Sequence, residues 1–366
     1  RMTYFVTGAT GFIGRYLVQS LLQKGKGTIY VLVRPKSIGK LDELREFWGK
    51  DSLKRVVPIK GDLGLPKLGV ARGDLTKLKG KVKHFYHLGA VYDIEASAEA
   101  MEKANITGTR GALEFAEAVN AGCFHLVSSI AAAGLYRGTF SEDMFEEAEE
   151  LDHPYHRTKH DSEAMVRANG RIPFRVYRPG AVLGHSQTGF IDKIDGPYYF
   201  FKALQKLRES WPRSIPLVGI EGGYINVVPV DFVVDALVHL SHQPKLDGRC
   251  FHLTDPKARR VGEVLNVFAR AAHAPEMAFR LDPKVFAMVP EPVTQSVQRS
   301  KPIQNVFNQL LRDLQVPRSV LQFVNYPTRF DSTATQKILD KAKIRVPALE
   351  DYAWRLWDYW ERHLDP

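Results

Sequence analysis

The sequence predicts an α/β protein: a doubly wound parallel sheet followed by a smaller, mainly helical region. Three observations predict it. Short β-branched and aromatic runs alternate with longer amphipathic stretches from the start to about Gly184, the rhythm of repeated βαβ units. The first run, Tyr-Phe-Val-Thr, passes into Gly-Ala-Thr-Gly-Phe-Ile-Gly and then into a helical pattern. After Gly184 the regularity fades among closely spaced glycines and prolines.

Taken in order, strands are expected at 4–7, 29–33, 56–60, 84–88, 125–128 and 174–177, with helices over 13–23, 96–121 and 155–168. Strands near 225–228 and 249–253 complete the sheet, so residues 1–184 form its main body and 185–366 a substrate-binding and lid region. Within the latter a helix is expected over 200–208. Two apolar segments broken by proline, 285–298 and 305–324, read as short helices over a groove, either a lid lining an acyl channel or plain core. The closing run DYAWRLWDYWERHLDP is an aromatic amphipathic helix, expected to pack on the body rather than to anchor a membrane.

The bulk numbers narrow the classes. Fifty-one Lys and Arg against 41 Asp and Glu leave a net charge of +10, which favours anionic partners such as a phosphorylated cofactor, coenzyme A, an acidic carrier protein or an anionic membrane surface. Those basic residues are spread along the chain, and no zinc-finger or aromatic RNA-binding signature organises them for nucleic acid. The two cysteines, Cys123 and Cys250, lie far apart in apolar runs, so they read as core residues of a cytoplasmic protein without a disulfide framework. The opening strand leaves no room for a signal peptide, and no apolar stretch approaches the roughly 20 residues that span a bilayer.

A strand, a glycine loop and a helix in succession point to a dinucleotide. Gly8, Gly11 and Gly14 allow a tight turn and close approach of the main chain to a pyrophosphate, Thr10 lies in the same turn, and the amides of Phe12 and Ile13 stand at the positive end of the helix. The second strand ends in Arg34 and Lys36, where an NAD-binding protein usually carries an acid for the ribose hydroxyls. A basic tip suits a 2′-phosphate, so the expected cofactor is NADPH. At the third strand end Asp62 is placed to accept from the adenine amino group while Leu63 packs on the ring. The fourth strand end, HLGA, sets Leu88, Gly89 and Ala90 beside the cofactor.

Tyr155 and Lys159 are four residues apart and share one face of a helix. A lysine cation there stabilises the phenolate, making the phenol a better proton donor near neutral pH. Upstream, the fifth strand ends in VSSI, where Ser129 can donate to a developing oxyanion; Ser128 is the alternative.

With these residues in order, the sequence resembles the extended short-chain dehydrogenase/reductases, through TGATGFIG, GDL, HLGA, NITGT, VSSI, YHRTK and YRPG. The resemblance implies a Rossmann fold and a Ser129, Tyr155 and Lys159 triad, with Lys159 also bonding the nicotinamide ribose. It implies too that Asn105 supports Lys159 and that Pro179, Gly180 and Val182 flank the nicotinamide. Longer stretches, among them SSIAAAGLYRGTFSEDMFEEAEELDHPYHRTKH, GIEGGYINVVPVDFVVDAL and NYPTRFD, are similar to bacterial alcohol-forming fatty acyl-CoA reductases, in which a second reductase module follows this one.

That likeness implies reduction of a long-chain acyl-CoA, an acyl carrier protein thioester or a fatty aldehyde toward the alcohol. Two other readings stay open. One is a sugar-nucleotide epimerase or dehydratase, or a hydroxysteroid dehydrogenase, of the same fold; the basic Arg34 tip counts against tightly held NAD. The other is a non-catalytic dinucleotide-binding regulator, against which stand Tyr155 and Lys159.

Overall fold

A computed structural model of the chain describes residues 2–88, 96–281 and 325–366. Both proline-broken apolar segments, and Gly89 and Ala90, lie outside the described residues. Seven strands form the main sheet: β1 (Tyr4–Thr7), β2 (Ile29–Val33), β3 (Val56–Lys60), β4 (His84–His87), β5 (Cys123–Val127), β6 (Phe174–Pro179) and β7 (Cys250–Leu253). Their order is β7-β6-β5-β4-β1-β2-β3 and every pairing is parallel. The order reverses between β1 and β4. In a doubly wound sheet that reversal opens the crevice at the strands' carboxyl ends where dinucleotides bind.

The core explains why these runs are strands. β1 and β5 are buried along their whole length, as strands covered by helices on both faces must be. On one face Phe5, Phe85 and Phe124 stand in register across β1, β4 and β5, their rings stacked with centroids 5.1 and 5.2 Å apart. Phe115 of the helix Gly108–Ala118 closes on Phe5 at 4.6 Å. The other face is aromatic but polar. There His84 Nδ1 lies 2.8 Å from His125 Nε2, His125 Nδ1 lies 2.9 Å from the Tyr177 hydroxyl, and Tyr4 bonds His242 at 2.7 Å.

The chain divides into two compact units that are not contiguous in sequence. The first comprises 1–180, 230–256 and 330–346; the second comprises 181–229, 257–329 and 347–366. The helix Val230–His242 and β7 thus belong to the sheet-bearing unit. One expectation needs correction: residues 225–228 do not complete the main sheet. Tyr224–Ile225 pairs antiparallel with Arg259–Arg260, and Val227–Pro229 pairs parallel with Ala181–Leu183. The reason is local: past Pro179 the chain continues into Ala181–Leu183, outside the main sheet, and Val227–Pro229 pairs with that segment. The outward amide of His252 on edge strand β7 is satisfied by the Glu142 carboxylate at 2.6 Å.

In the second unit, the helices Phe201–Ser210, Val261–Ala271 and Leu349–Tyr359 enclose an aromatic cluster. Phe201 lies 4.8 Å from Phe268 and 5.0 Å from Trp357, ring centre to ring centre. The last helix buries Leu349, Tyr352, Ala353, Leu356 and Trp357, and Glu350 beside them takes a two-pronged bond from the buried Arg259. Among the described residues no helix is long and apolar enough to cross a membrane. Cys123 and Cys250 are buried thiols, as expected of core residues.

Candidate active site

The glycine loop follows β1 directly. Gly8 takes φ +75°, and the Gly11 amide donates back to its carbonyl at 3.0 Å, closing a tight turn. A Cβ at Gly14 would lie 1.9 Å from the Gly8 oxygen, and one at Gly11 would lie 3.2 Å from it. Only glycine lets helix Phe12–Lys24 start this close beneath the loop. First-turn amides have no acceptor within a helix, and these, at Phe12 and Ile13, issue straight from the turn that holds Thr10.

At the end of β2, Arg34 and Lys36 are exposed, Arg34 capping the short 3-10 turn Pro35–Ser37. Beyond β3, Asp62 Oδ1 accepts from the Gly64 amide at 2.8 Å, while Leu63 packs on the core cluster around Phe115. Leu88 is buried, and its amide donates to the Thr7 hydroxyl at 3.1 Å. Pro179 ends β6, and the Gly180 amide donates to Leu253 O at 3.1 Å. Val182 lies in the short strand Ala181–Leu183 opposite Val228.

Tyr155 and Lys159 ride on the helix Pro154–Ala168. It begins where it does because Pro154 occupies the first turn and His153 Nδ1 accepts the Tyr155 amide at 3.0 Å. Tyr155 is half-buried; Lys159 is only 2% exposed, and burial pulls its ammonium down to about 7. On the same helix His156 Nδ1 and His160 Nδ1 bond the carbonyls of Ala131 and Ala132 at 3.1 and 2.9 Å. Those carbonyls belong to the 3-10 turn Ile130–Ala133 that Ser129 caps, accepting from the Ala131 amide at 3.1 Å. The two histidines therefore latch the Ser129 turn to the Tyr155 helix.

The two serines part ways. Ser128 turns into the core and donates to Glu163 Oε2 at 3.1 Å. Glu163 is fully buried against Arg178, with Nε 3.1 Å from both carboxylate oxygens, and takes a second cation from Arg167 at 2.9 Å. Burial alone would raise its carboxyl; the two guanidinium groups outweigh that and hold it below the usual range. The Ser129 hydroxyl accepts from Ala131, which leaves its hydrogen for another acceptor.

Asn105 is buried in the π-helical segment Glu102–Thr107 that interrupts the expected helix, and its amide donates to Thr158 Oγ1 at 3.0 Å. His87, Thr109, His156 and Thr158 stand inside HLGA, NITGT and YHRTK, whose spacing does not show what they touch, and His160 and Glu163 stand in none of the motifs. The i, i+4 pairing of His156 and His160, around Lys159, was the one available signal.

Residues 6–237 match the family of NAD-binding domains described as male sterility protein. The chain belongs to that family. It has the extended short-chain dehydrogenase/reductase fold. This male sterility family chain is 32% identical over 268 residues to a linear gramicidin synthase of Brevibacillus parabrevis, covering 69% of this chain and 5% of that one. It is 28% identical over 306 residues to a Drosophila melanogaster protein provisionally named a fatty acyl-CoA reductase, covering 68% and 58%. Among solved structures, the terminal R domain of the myxalamid PKS-NRPS pathway superposes with a TM-score of 0.77 at 26% identity, over 99% of this chain and 91% of that one.

Proposed function

We propose that the chain is an NADPH-dependent reductase of fatty acyl substrates, taking a fatty acyl thioester or fatty aldehyde toward the alcohol. The observation that carries this reading is the latch by which His156 and His160 hold the Ser129 turn against the helix bearing Tyr155 and Lys159. It keeps an oxyanion donor, an acid and a lysine on one rigid support.

The chain fits the cofactor. The close backbone approach that Gly11 and Gly14 allow at the start of the helix supports a pyrophosphate there, and the exposed Arg34 and Lys36 suit a 2′-phosphate. We assign Thr10, Phe12 and Ile13 to the pyrophosphate, Asp62 and Leu63 to the adenine end, Pro179, Gly180 and Val182 to the nicotinamide end, and Leu88, Gly89 and Ala90 to the cofactor's side. When bound, NADPH supplies the hydride.

The protein's own residues manage charge and proton. Ser129 directs its remaining hydrogen to the carbonyl oxygen, and the Tyr155 phenol gives that oxygen its proton. The tyrosinate left behind is stabilised by Lys159, whose buried ammonium gains from a negative charge beside it. Recognition of the acyl chain falls to residues after 184. The thioester arrives on coenzyme A or a carrier protein, and a second reductase module following this one is part of the same reading.

Purified protein is incubated with NADPH and, separately, acyl-CoA and fatty aldehyde of several lengths, and loss of NADPH absorbance is followed. Oxidation with at least one is expected; none with either overturns the proposal. Tyr155→Phe is expected to bind NADPH and not turn over, and an active Tyr155→Phe protein removes the tyrosine from its role.

A further inference from the structure

A buried chain of hydrogen bonds runs from the last residue of β1 to the helix of Tyr155 and Lys159. The Thr7 hydroxyl lies 2.7 Å from His87 Nδ1, and His87 Nε2 lies 3.2 Å from Thr109 Oγ1. Thr109 donates to the Asn105 carbonyl at 2.7 Å, and the Asn105 side chain donates to Thr158 Oγ1 at 3.0 Å. All five residues are buried, and none of these bonds is water-exposed.

The chemistry of the partners gives the chain a direction. A backbone carbonyl only accepts, so Thr109 spends its hydrogen on Asn105 and must take one from His87. His87 is therefore the tautomer protonated at Nε2, and its bare Nδ1 accepts from Thr7. Thr7 Oγ1 meanwhile accepts from the Leu88 amide at 3.1 Å. The ring is kept neutral, first by burial and then by repulsion from the Lys159 ammonium, which together bring it down to about 3.

We infer that His87 is a positioning residue of the reductase: its neutral imidazole couples the strand end that launches the glycine loop to the Asn105 turn and, through Thr158, to the helical turn bearing Tyr155 and Lys159. This rests on the functional reading above. Neither end of the chain is a surface feature. Thr7 immediately precedes Gly8, and Thr158 immediately precedes Lys159. A shift of His87 is thus felt at the cofactor loop and at the reacting residues together.

The test compares three variants of the whole chain. His87→Leu fills similar space without either nitrogen; His87→Gln restores a donor at the reach of Nε2; His87→Asn restores only the position of Nδ1. The NADPH Kd is read by quenching of tryptophan fluorescence, independently of turnover, and kcat and KM for NADPH are read with whichever acyl substrate is reduced. The expectation for His87→Leu is a rise in NADPH Kd and a fall in kcat, each about tenfold, as for loss of a buried hydrogen bond. His87→Gln should recover both to within about threefold, and His87→Asn should not.

A merely structural role lowers Tm and leaves Kd and kcat of the folded protein unchanged; that result overturns the inference, as does a glutamine variant no better than the asparagine one. Should His87→Leu not fold, the Gln and Asn variants alone decide on the same two readouts. If the wild type reduces no acyl substrate, the functional reading fails, while the order of NADPH Kd values among the variants still supports or overturns the coupling to the glycine loop.

Discussion

Gly14 lies so close beneath Gly8 that a Cβ on it would stand 1.9 Å from the Gly8 carbonyl oxygen. The contact is backbone to backbone, so no side chain can move aside. Gly14→Ala must push the start of helix Phe12–Lys24 off the loop, and the expected result is NADPH affinity at least about tenfold weaker by fluorescence titration. Wild-type affinity in that variant would show that the loop does not need this close approach.

Ser128 and Ser129 should separate stability from catalysis. Ser129→Ala is expected to lower kcat by about a hundredfold or more, as for loss of an oxyanion donor, and to cost about 1 kcal/mol for the lost cap of the Ala131 amide. Ser128→Ala takes a hydrogen-bond donor from the buried Glu163 and is expected to cost about 1–3 kcal/mol in denaturant unfolding while sparing kcat. The reverse pattern would exchange their roles.

Burial makes Lys159 expensive to the fold. Its pKa, about 7 in the folded protein, lies below that of an unfolded lysine, so the unfolded chain holds the extra proton between about 7 and 10.5. The penalty is complete below about pH 7 and fades as pH rises toward 10.5. Lys159→Met should therefore stabilise the cofactor-free protein by an amount on the order of a few kcal/mol at pH 6, with the gain shrinking toward pH 10. A pH-independent difference in unfolding free energy would contradict this. Activity should be lost throughout.

Acid should act through the buried histidines. His84 and His252 are lowered to about 3 and His156 to about 4, in each case first by burial, and His125 is held well below its usual value for the same reason. Neutral in the fold, they take up protons on unfolding. Their contribution is whole above about pH 6.5 and is lost as pH falls toward those folded values, at about 1.4 kcal/mol per pH unit for each. Thermal unfolding should show Tm falling steeply below pH 6. A flat profile between pH 7 and 4.5 would count against neutral burial.

Arg34 should discriminate between cofactors. Arg34→Ala is expected to weaken NADPH about tenfold or more and to leave NADH nearly unchanged, because a guanidinium matches a phosphate and not a pair of hydroxyls. Equal losses, measured by titration with each nucleotide, would remove the 2′-phosphate assignment.

The sheet was legible because its strands are short β-branched and aromatic runs such as Ile29–Val33, and because Gly8, Gly11 and Gly14 sit between a strand and a helix. The helix Val230–His242 was not. Its polar stripe, Asp231, Asp235, His239 and His242, is narrow because nine of its 13 residues are buried, and it follows Pro229 without a loop, so its start reads on from the strand before it. Residues 225–228 were misplaced because alternation reports that a run is a strand and not which edge is vacant. His87 was hidden for another reason. It stands in HLGA, but nothing in the sequence shows that it meets Thr7, 80 residues before it, and Thr109, 22 residues after it.

The interleaving of the two units bears on how the chain acquires its structure during synthesis. The outer edge of β6 is closed by a strand that leaves the ribosome some 70 residues later, after one excursion into the other unit, and residues 330–346 return after a second. The sheet-bearing unit thus cannot complete itself as an amino-terminal body while the remainder is still being made. Long-range closure of this kind slows folding and prolongs the exposure of an unpaired strand edge. Ribosome-stalled chains ending near residue 184 would carry the glycine loop and the reacting residues on a sheet still open to aggregation.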